Sequence, residues 1–168
     1  LEAAVTSGGL STMPWSYAEK LNTLQNKTLR YPGHWDQMFA YRQLGLFDEN
    51  KIKFNNQEIA PREFYHHLLA PKLEQDNNKD ICIMRVDTIG FNNGEHIKNR
   101  IEILEEYDEE TNFLAMEKWT GWHASIVMIE ILNGNIKNGA IPIEEALSGR
   151  VFYERALERS YEIKITNQ

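Results

Sequence analysis

The sequence has little of what marks secreted or membrane proteins. It contains one cysteine, Cys82, among 168 residues, so no disulfide can form within the chain. A reduced setting is expected for such a chain. No apolar run approaches the ~20 residues of a membrane span, and no signal peptide is visible. The sequence therefore predicts a cytoplasmic protein with no membrane partner.

The sequence also lacks clusters of positive charge. The formal net charge is -7, and the lysines and arginines are scattered along the chain. A nucleic-acid surface needs clustered basic side chains, so no nucleic-acid partner is predicted. The hydrophobic fraction of 42% and the charged fraction of 26% are typical of a globular protein. A chain of this length can bury a core without a metal or a disulfide.

The common catalytic signatures are missing as well. The chain has no G-x-G-x-x-G turn, P-loop, H-E-x-x-H or C-x-x-C, and Gly8-Gly9 alone is too short to cradle a phosphate. His66 and His67 are neighbours on a predicted helix, where adjacent side chains point about 100° apart. They are therefore unsuited to share a metal, and no metal site is predicted.

What is present is a pattern of strands and helices. Apolar spacing predicts a strand over 24–31, a helix over 34–44 ended by Gly45, and a helix starting at Pro61. Strands over 81–89 and 97–107 flank a hairpin turn at 92–94. The sum predicts an α+β fold, with a mixed, largely antiparallel sheet and helices packed on one face.

Further along, the pattern predicts a third strand over 113–119, a helix over 122–132 capped by Thr120, and a helix over 151–158. A last edge strand is expected over 161–165. Two short strands are predicted around Asn55-Asn56. Cys82 lies in an apolar run and is expected to be buried. The glutamate-rich tract 102–110 is interpreted as the solvated face and turn of a hairpin.

One segment combines several chemically active side chains. Residues 27–34 read K-T-L-R-Y-P-G-H and span a predicted strand-to-helix junction, which is a natural anion site. Arg30 suits a bidentate carboxylate clamp, and Lys27 or His34 suits acid or base work near neutral pH. The alternative is an ordinary strand with exposed charges and a Pro-Gly turn.

The same segment resembles the signature of the saccharopine dehydrogenase C-terminal domain, which lysine 6-dehydrogenases share. Other stretches match that family in the same order: T-S-G-G-L-S-T at 6–12, L-G-L at 44–46, A-M-x-x-x-T-G at 115–121, and G-x-I-x-x-G-x-x-P-x-E at 134–144. The resemblance therefore spans nearly the whole chain.

The resemblance implies a C-terminal catalytic and dimerisation domain over 1–168, whose N-terminal Rossmann partner lies outside this chain. That partner would bind NAD or NADP. The whole enzyme would be a homodimeric, cytoplasmic oxidoreductase that transfers hydride between a C–N bond of an amino acid and the nicotinamide. Lysine and saccharopine are the expected type of small-molecule substrate. The isolated domain is expected to be inactive.

The resemblance also implies site residues. The loop over 6–9 aligns with the part of the family that lies beside the substrate, and its N–H groups and hydroxyls suit an α-carboxylate. The resemblance implies no cofactor-binding or metal-binding residue in this chain. The substrate-binding candidates are Thr6, Ser7, Gly8, Gly9 and Arg30, and the catalytic candidates are Lys27 and His34.

Two departures and one alternative accompany the resemblance. Two positions carry larger residues than is usual in the family: Trp35 after His34, and Trp122-His123 after the T-G pair. The resemblance therefore does not identify the specific substrate. Arg30 also suits a purely structural clamp. The alternative function is a non-catalytic binding or dimerisation module that keeps the same fold.

Overall fold

The computed structural model describes residues 1–6, 8–74 and 79–167. The chain divides into two compact units, Leu1–Asn77 and Asn78–Gln168, here called the N-terminal and C-terminal units. Each unit has its own sheets and helices. Every strand pair among the described residues is antiparallel, and helices accompany them, so the predicted α+β class is confirmed.

The N-terminal unit contains two small ribbons and three helices. Strand β1 pairs with β2, and β3 pairs with β4. In chain order the elements are β1 (Glu2–Ala4), α1 (Met13–Ser16), β2 (Thr28–Arg30), α2 (His34–Gln43), β3 (Ile52–Phe54), β4 (Gln57–Ile59) and α3 (Pro61–Leu73).

Local sequence signals explain most of these boundaries. Gly45 has a φ of 82° just after α2, the left-handed conformation that commonly ends a helix. Asn55 and Asn56 both have positive φ between β3 and β4, as a tight hairpin turn requires. Pro61 opens α3, where its missing N–H costs no helical hydrogen bond. Strand β2 is shorter than the predicted 24–31, because β1 offers only three residues for pairing.

The C-terminal unit is built on one sheet with the order β5-β6-β7. The turn between β5 and β6 is Asn93-Gly94, with φ of 52° and 87°, which is typical of a two-residue hairpin. Its elements are β5 (Ile81–Asn92), β6 (Glu95–Glu106), α4 (Ala115–Leu132), α5 (Ile143–Ala146), α6 (Gly149–Leu157) and β7 (Ile163–Asn167).

A small apolar core joins the sheet and helices of this unit. Ile126 of α4, Ala156 of α6 and Tyr161 are its buried members. Ile103 of β6 and Ile163 of β7 face each other across the sheet and pack against them. Cys82 is buried as predicted, and burial is the main reason that the pKa of its thiol is raised.

The predicted third strand over 113–119 is wrong, because α4 begins at Ala115. The start of this helix is fixed from a distance: Asp80 accepts hydrogen bonds from the backbone N–H groups of Ala115 and Met116, at 2.7 and 2.9 Å. A carboxylate at a helix N-terminus satisfies donors that would otherwise lack partners. Thr120 consequently lies inside the helix instead of capping it.

The prediction that the tract 102–110 is solvated is wrong at Glu105, whose exposure is only 6%. Its carboxylate accepts a hydrogen bond from Lys118 Nζ at 2.7 Å. Lys118 is itself buried and lies above the Trp122 ring, 5.0 Å from its centre. A buried carboxylate needs such a partner, which the sequence does not reveal because the pair joins a strand to a helix.

Candidate functional site

The β1–β2 ribbon divides the predicted site residues between its two ends. Ala4 pairs with Thr28 at one end and Glu2 pairs with Arg30 at the other. The loop after β1 and Lys27 therefore share the first end, called the loop end. Arg30 and the start of α2 share the second, called the helix end. The first and last of the three residue pairs are two steps of about 3.4 Å apart, so roughly 7 Å of backbone separates the two ends.

At the loop end, the residues on each side of Lys27 contact the loop that follows β1. Thr6 Oγ1 and Thr28 Oγ1 lie 2.6 Å apart and share a hydrogen bond. A Cβ on Gly9 would lie 1.4 Å from Nδ2 of Asn26, so a larger residue there would force the Asn26 side chain out of its present position. The loop thus touches the residue on each side of Lys27, while Lys27 itself is exposed. This end presents one exposed cation beside a fixed loop.

Two loop candidates remain to be placed. Gly8 is exposed and has a φ of 92°, a conformation that glycine adopts without strain. Ser7 lies outside the described residues.

The helix end is organised around Gly33, which has a φ of 86° and precedes α2. Its N–H donates to Glu2 Oε1 at 2.8 Å. His34 is the first residue of α2 and is half-buried, with its ring edge-on to Trp35 at 4.9 Å between ring centres. Arg30 is exposed, and its Nη1 donates to the carbonyl of Leu29 at 2.8 Å.

Sequence reasoning missed two residues of this ribbon. Asn26 packs against Gly9, and Glu2 supplies a carboxylate at the helix end. Residues 27–34 alone suggested an open anion site at the strand-to-helix junction, whereas Glu2 already provides an anion there. The pairing of Glu2 with Gly33 spans 31 residues, so only the β1–β2 register could have pointed to it.

The C-terminal unit contains two further sets of polar side chains, and each set is paired within the unit. Lys118 is paired with Glu105, and Asp108 lies 3.9 Å away. Elsewhere in the unit, Glu130 accepts from Asn135 at 2.6 Å and from Arg155 at 2.8 Å. These two hydrogen bonds lower the pKa of Glu130.

A cavity of about 230 Å³ lies beside the C-terminal half of α4. Val127, Ile131, Ile141 and Ile143 give it an apolar wall, with Lys137 at its edge. Its lining comes from the C-terminal unit, whereas all the predicted site residues belong to the N-terminal one.

The described residues do not fit a dinucleotide. A dinucleotide site of the common type needs a glycine-rich turn between a parallel strand and a helix. The described strands pair only in antiparallel fashion, and the β2-to-α2 junction carries Tyr31-Pro32-Gly33 instead. Within 1–6, 8–74 and 79–167, no three His, Cys, Asp or Glu side chains gather as metal ligands would. No helix in those ranges combines the length and apolarity needed to cross a bilayer.

Comparison with known families decides what kind of domain this is. The family described as the saccharopine dehydrogenase C-terminal domain matches residues 2–162. The chain belongs to this family. The match extends from the N-terminal unit into the C-terminal unit as far as residue 162, and it includes every candidate residue at both ends of the ribbon. The resemblance inferred from the sequence is thereby confirmed, and the chain is placed in a family of oxidoreductase type.

Proposed function

We propose that this saccharopine dehydrogenase C-terminal domain forms the substrate side of an NAD(P)-dependent oxidoreductase that acts on a C–N bond of an amino acid. Lysine and saccharopine are the expected type of substrate. The observation that supports this proposal is the family match over 2–162. The bound cofactor would accept hydride from the carbon that carries the nitrogen.

The dinucleotide, in this proposal, is bound by a separate Rossmann domain of the parent protein. The family's description as a C-terminal domain supports that arrangement, as does the poor fit of the described residues to a dinucleotide. We further propose that the parent is a cytoplasmic homodimer.

The loop end is the proposed seat of the substrate carboxylate. Lys27 is the exposed cation there, and the contacts of Thr6 with Thr28 and of Gly9 with Asn26 hold the loop on both sides of it. A charged hydrogen bond to a carboxylate stabilises a complex by about 1.5–3 kcal/mol. Lys27 would therefore contribute mainly to substrate binding, in addition to its candidacy for proton transfer.

The helix end is the proposed place for acid–base work. His34 is fixed by the start of α2 and by its edge-on contact with Trp35. A histidine can accept or donate a proton near neutral pH, and a positioned acid or base contributes about 10²- to 10⁴-fold to a rate. Arg30 is exposed beside it and is the second candidate clamp for a carboxylate.

The deciding experiment uses the full-length parent. Formation of NADH or NADPH would be followed while lysine, saccharopine and related amino acids are offered one at a time. Turnover with one of them identifies both the reaction and the substrate. Binding of the cofactor without turnover on any amino acid would contradict the proposal and favour the non-catalytic binding or dimerisation module.

Variants then test the two ends separately. Lys27→Met should raise KM about 10- to 100-fold with a smaller effect on kcat, as the loss of one charged hydrogen bond requires. His34→Asn should lower kcat about 10²- to 10⁴-fold. Lys53→Met, which removes an exposed lysine of β3, is the matched control and should leave both constants unchanged. Equal effects in all three variants would refute the site assignment.

A further inference from the structure

The carboxylate of Glu2 joins β1 to the start of α2. It stands opposite Arg30 in the ribbon, and its Oε1 accepts the Gly33 N–H at 2.8 Å. The side chain is half-buried, so it is partly shielded from water. Hydrogen bonds to a charged acceptor are about twice as strong as those between neutral groups. The contact therefore ties the turn 31–33 to the strand.

Helix α2 lacks a side-chain cap from its own N-cap residue, because that residue is Gly33. The first N–H groups of a helix need acceptors from elsewhere, and a negative charge there is stabilised by the helix dipole. Glu2 accepts one of these N–H groups, that of Gly33, and Asp36 places a second carboxylate in the first turn of the helix. The protein's own carboxylates thus supply negative charge at the positive end of α2.

His34 follows Gly33 directly and begins the helix. Its N–H bonds back to the carbonyl of Tyr31 at 3.2 Å, so its backbone belongs to the same turn that Glu2 holds. A shift of this turn would carry the imidazole with it.

We propose that Glu2 is a positioning residue for His34. It fixes the turn before α2 through its hydrogen bond to the Gly33 N–H and so sets where the His34 ring lies. The role of Glu2 in catalysis rests on the proposed function, whereas its structural role in placing Gly33 and His34 is independent of that function.

The first test is spectroscopic and uses the 168-residue chain labelled with ¹⁵N and ¹³C. In Glu2→Ala, the amide proton of Gly33 should move upfield and the ring resonances of His34 should shift. In Glu2→Gln, which keeps an acceptor oxygen, both changes should be much smaller. Glu19→Gln, a change at an exposed glutamate, is the control and should leave these resonances in place.

The second test uses the full-length parent with its best amino-acid substrate. Glu2→Ala should lower kcat about 10- to 100-fold through misplacement of His34. Glu2→Gln should retain activity to within about fivefold, because a neutral hydrogen bond replaces a charged one.

Each outcome has a separate meaning. Unchanged Gly33 or His34 resonances in Glu2→Ala would overturn the positioning role, whatever the activity. Shifted resonances with an unchanged kcat in an active parent would overturn the catalytic part of the proposal. A parent that is inactive on every amino acid would remove the proposed function, while the spectra would still decide whether Glu2 positions His34.

Discussion

The C-terminal unit buries Ile126, Ala156 and Tyr161 between a three-stranded sheet and two helices, together with the charged pair Glu105–Lys118. In the N-terminal unit, Ala60 is the one described residue that is buried to a comparable degree. The N-terminal unit nevertheless carries all the candidate site residues. The buried core and the candidate site residues therefore lie in different units: the C-terminal unit contains most of the buried side chains, and the N-terminal unit presents polar groups on short ribbons.

The largest effect should come from the buried charge in the C-terminal unit. Lys118→Ala leaves Glu105 buried without its partner, and such a loss costs about 3–5 kcal/mol of unfolding free energy. Urea unfolding of the purified chain measures it. Lys164→Ala, at an exposed lysine of β7, should change the free energy by less than about 0.5 kcal/mol.

A second change, Glu105→Gln, should restore much of the stability lost in Lys118→Ala, because no uncompensated charge then remains buried. Equal stability of Lys118→Ala and Lys164→Ala would show that the pair is not buried in solution.

Core packing should give the next largest contrast between the units. Ile126 is 1% exposed, so Ile126→Ala, which removes most of a buried side chain, should cost about 2–5 kcal/mol of unfolding free energy. Phe39 in α2 is 58% exposed, so Phe39→Ala should cost less than about 1 kcal/mol. Comparable losses in the two variants, measured by the same unfolding curves, would mean that Phe39 is covered in solution.

Two glycines should respond in opposite directions. Gly9→Ala drives a methyl group into Asn26, and such overpacking costs about 1–3 kcal/mol. Gly121 lies inside α4, and a Cβ added there meets no atom within 4 Å. Gly121→Ala should therefore raise stability by about 0.5–1 kcal/mol. Thermal melting of both variants against the parent chain checks the signs, and a stabilising Gly9→Ala would argue against the Gly9–Asn26 contact.

The smallest expected effect concerns Tyr161, whose hydroxyl donates to the carbonyl of Lys118 at 3.1 Å. Tyr161→Phe should cost about 1 kcal/mol at neutral pH. Burial, with a further contribution from Glu105, raises the pKa of Tyr161 to about 12. Because the folded-state pKa exceeds the unfolded value of about 10, its stabilising effect is present below pH ~10 and is lost as pH rises towards ~12.

Ultraviolet titration of tyrosinate tests the raised pKa of Tyr161. A tyrosinate step near pH ~12 should be present in the chain and missing in Tyr161→Phe. A step that persists in the variant would assign the raised pKa to another tyrosine.

Local patterns were enough to predict much of the fold. The hairpin at Asn93-Gly94, the stop of α2 at Gly45 and the start of α3 at Pro61 each depend on a few adjacent residues. The mistaken strand over 113–119 shows where such patterns fail. Helix α4 starts early because Asp80, distant in sequence, accepts its first N–H groups, and no local pattern records that contact.

The candidate site was predictable as a set of residues but not as an arrangement. Residues 27–34 were recognisable by their sequence, whereas their division between two ends of a ribbon follows from the β1–β2 register. Glu2 resembles any other glutamate until the fold brings it to Gly33. The type of each side chain can be read directly from the sequence, whereas the groups that it contacts depend on the fold.

The position of β7 has a consequence for how the chain must be made. The hairpin of β5 and β6 can close across a two-residue turn as soon as both strands have been synthesised, but β7 joins β6 only when Ile163–Asn167 has emerged. Until then the stretch 99–103 of β6 exposes unpaired backbone groups, an open template for aggregation. A chain that ends at Glu162 should therefore self-associate more strongly than the full chain, as light scattering would detect.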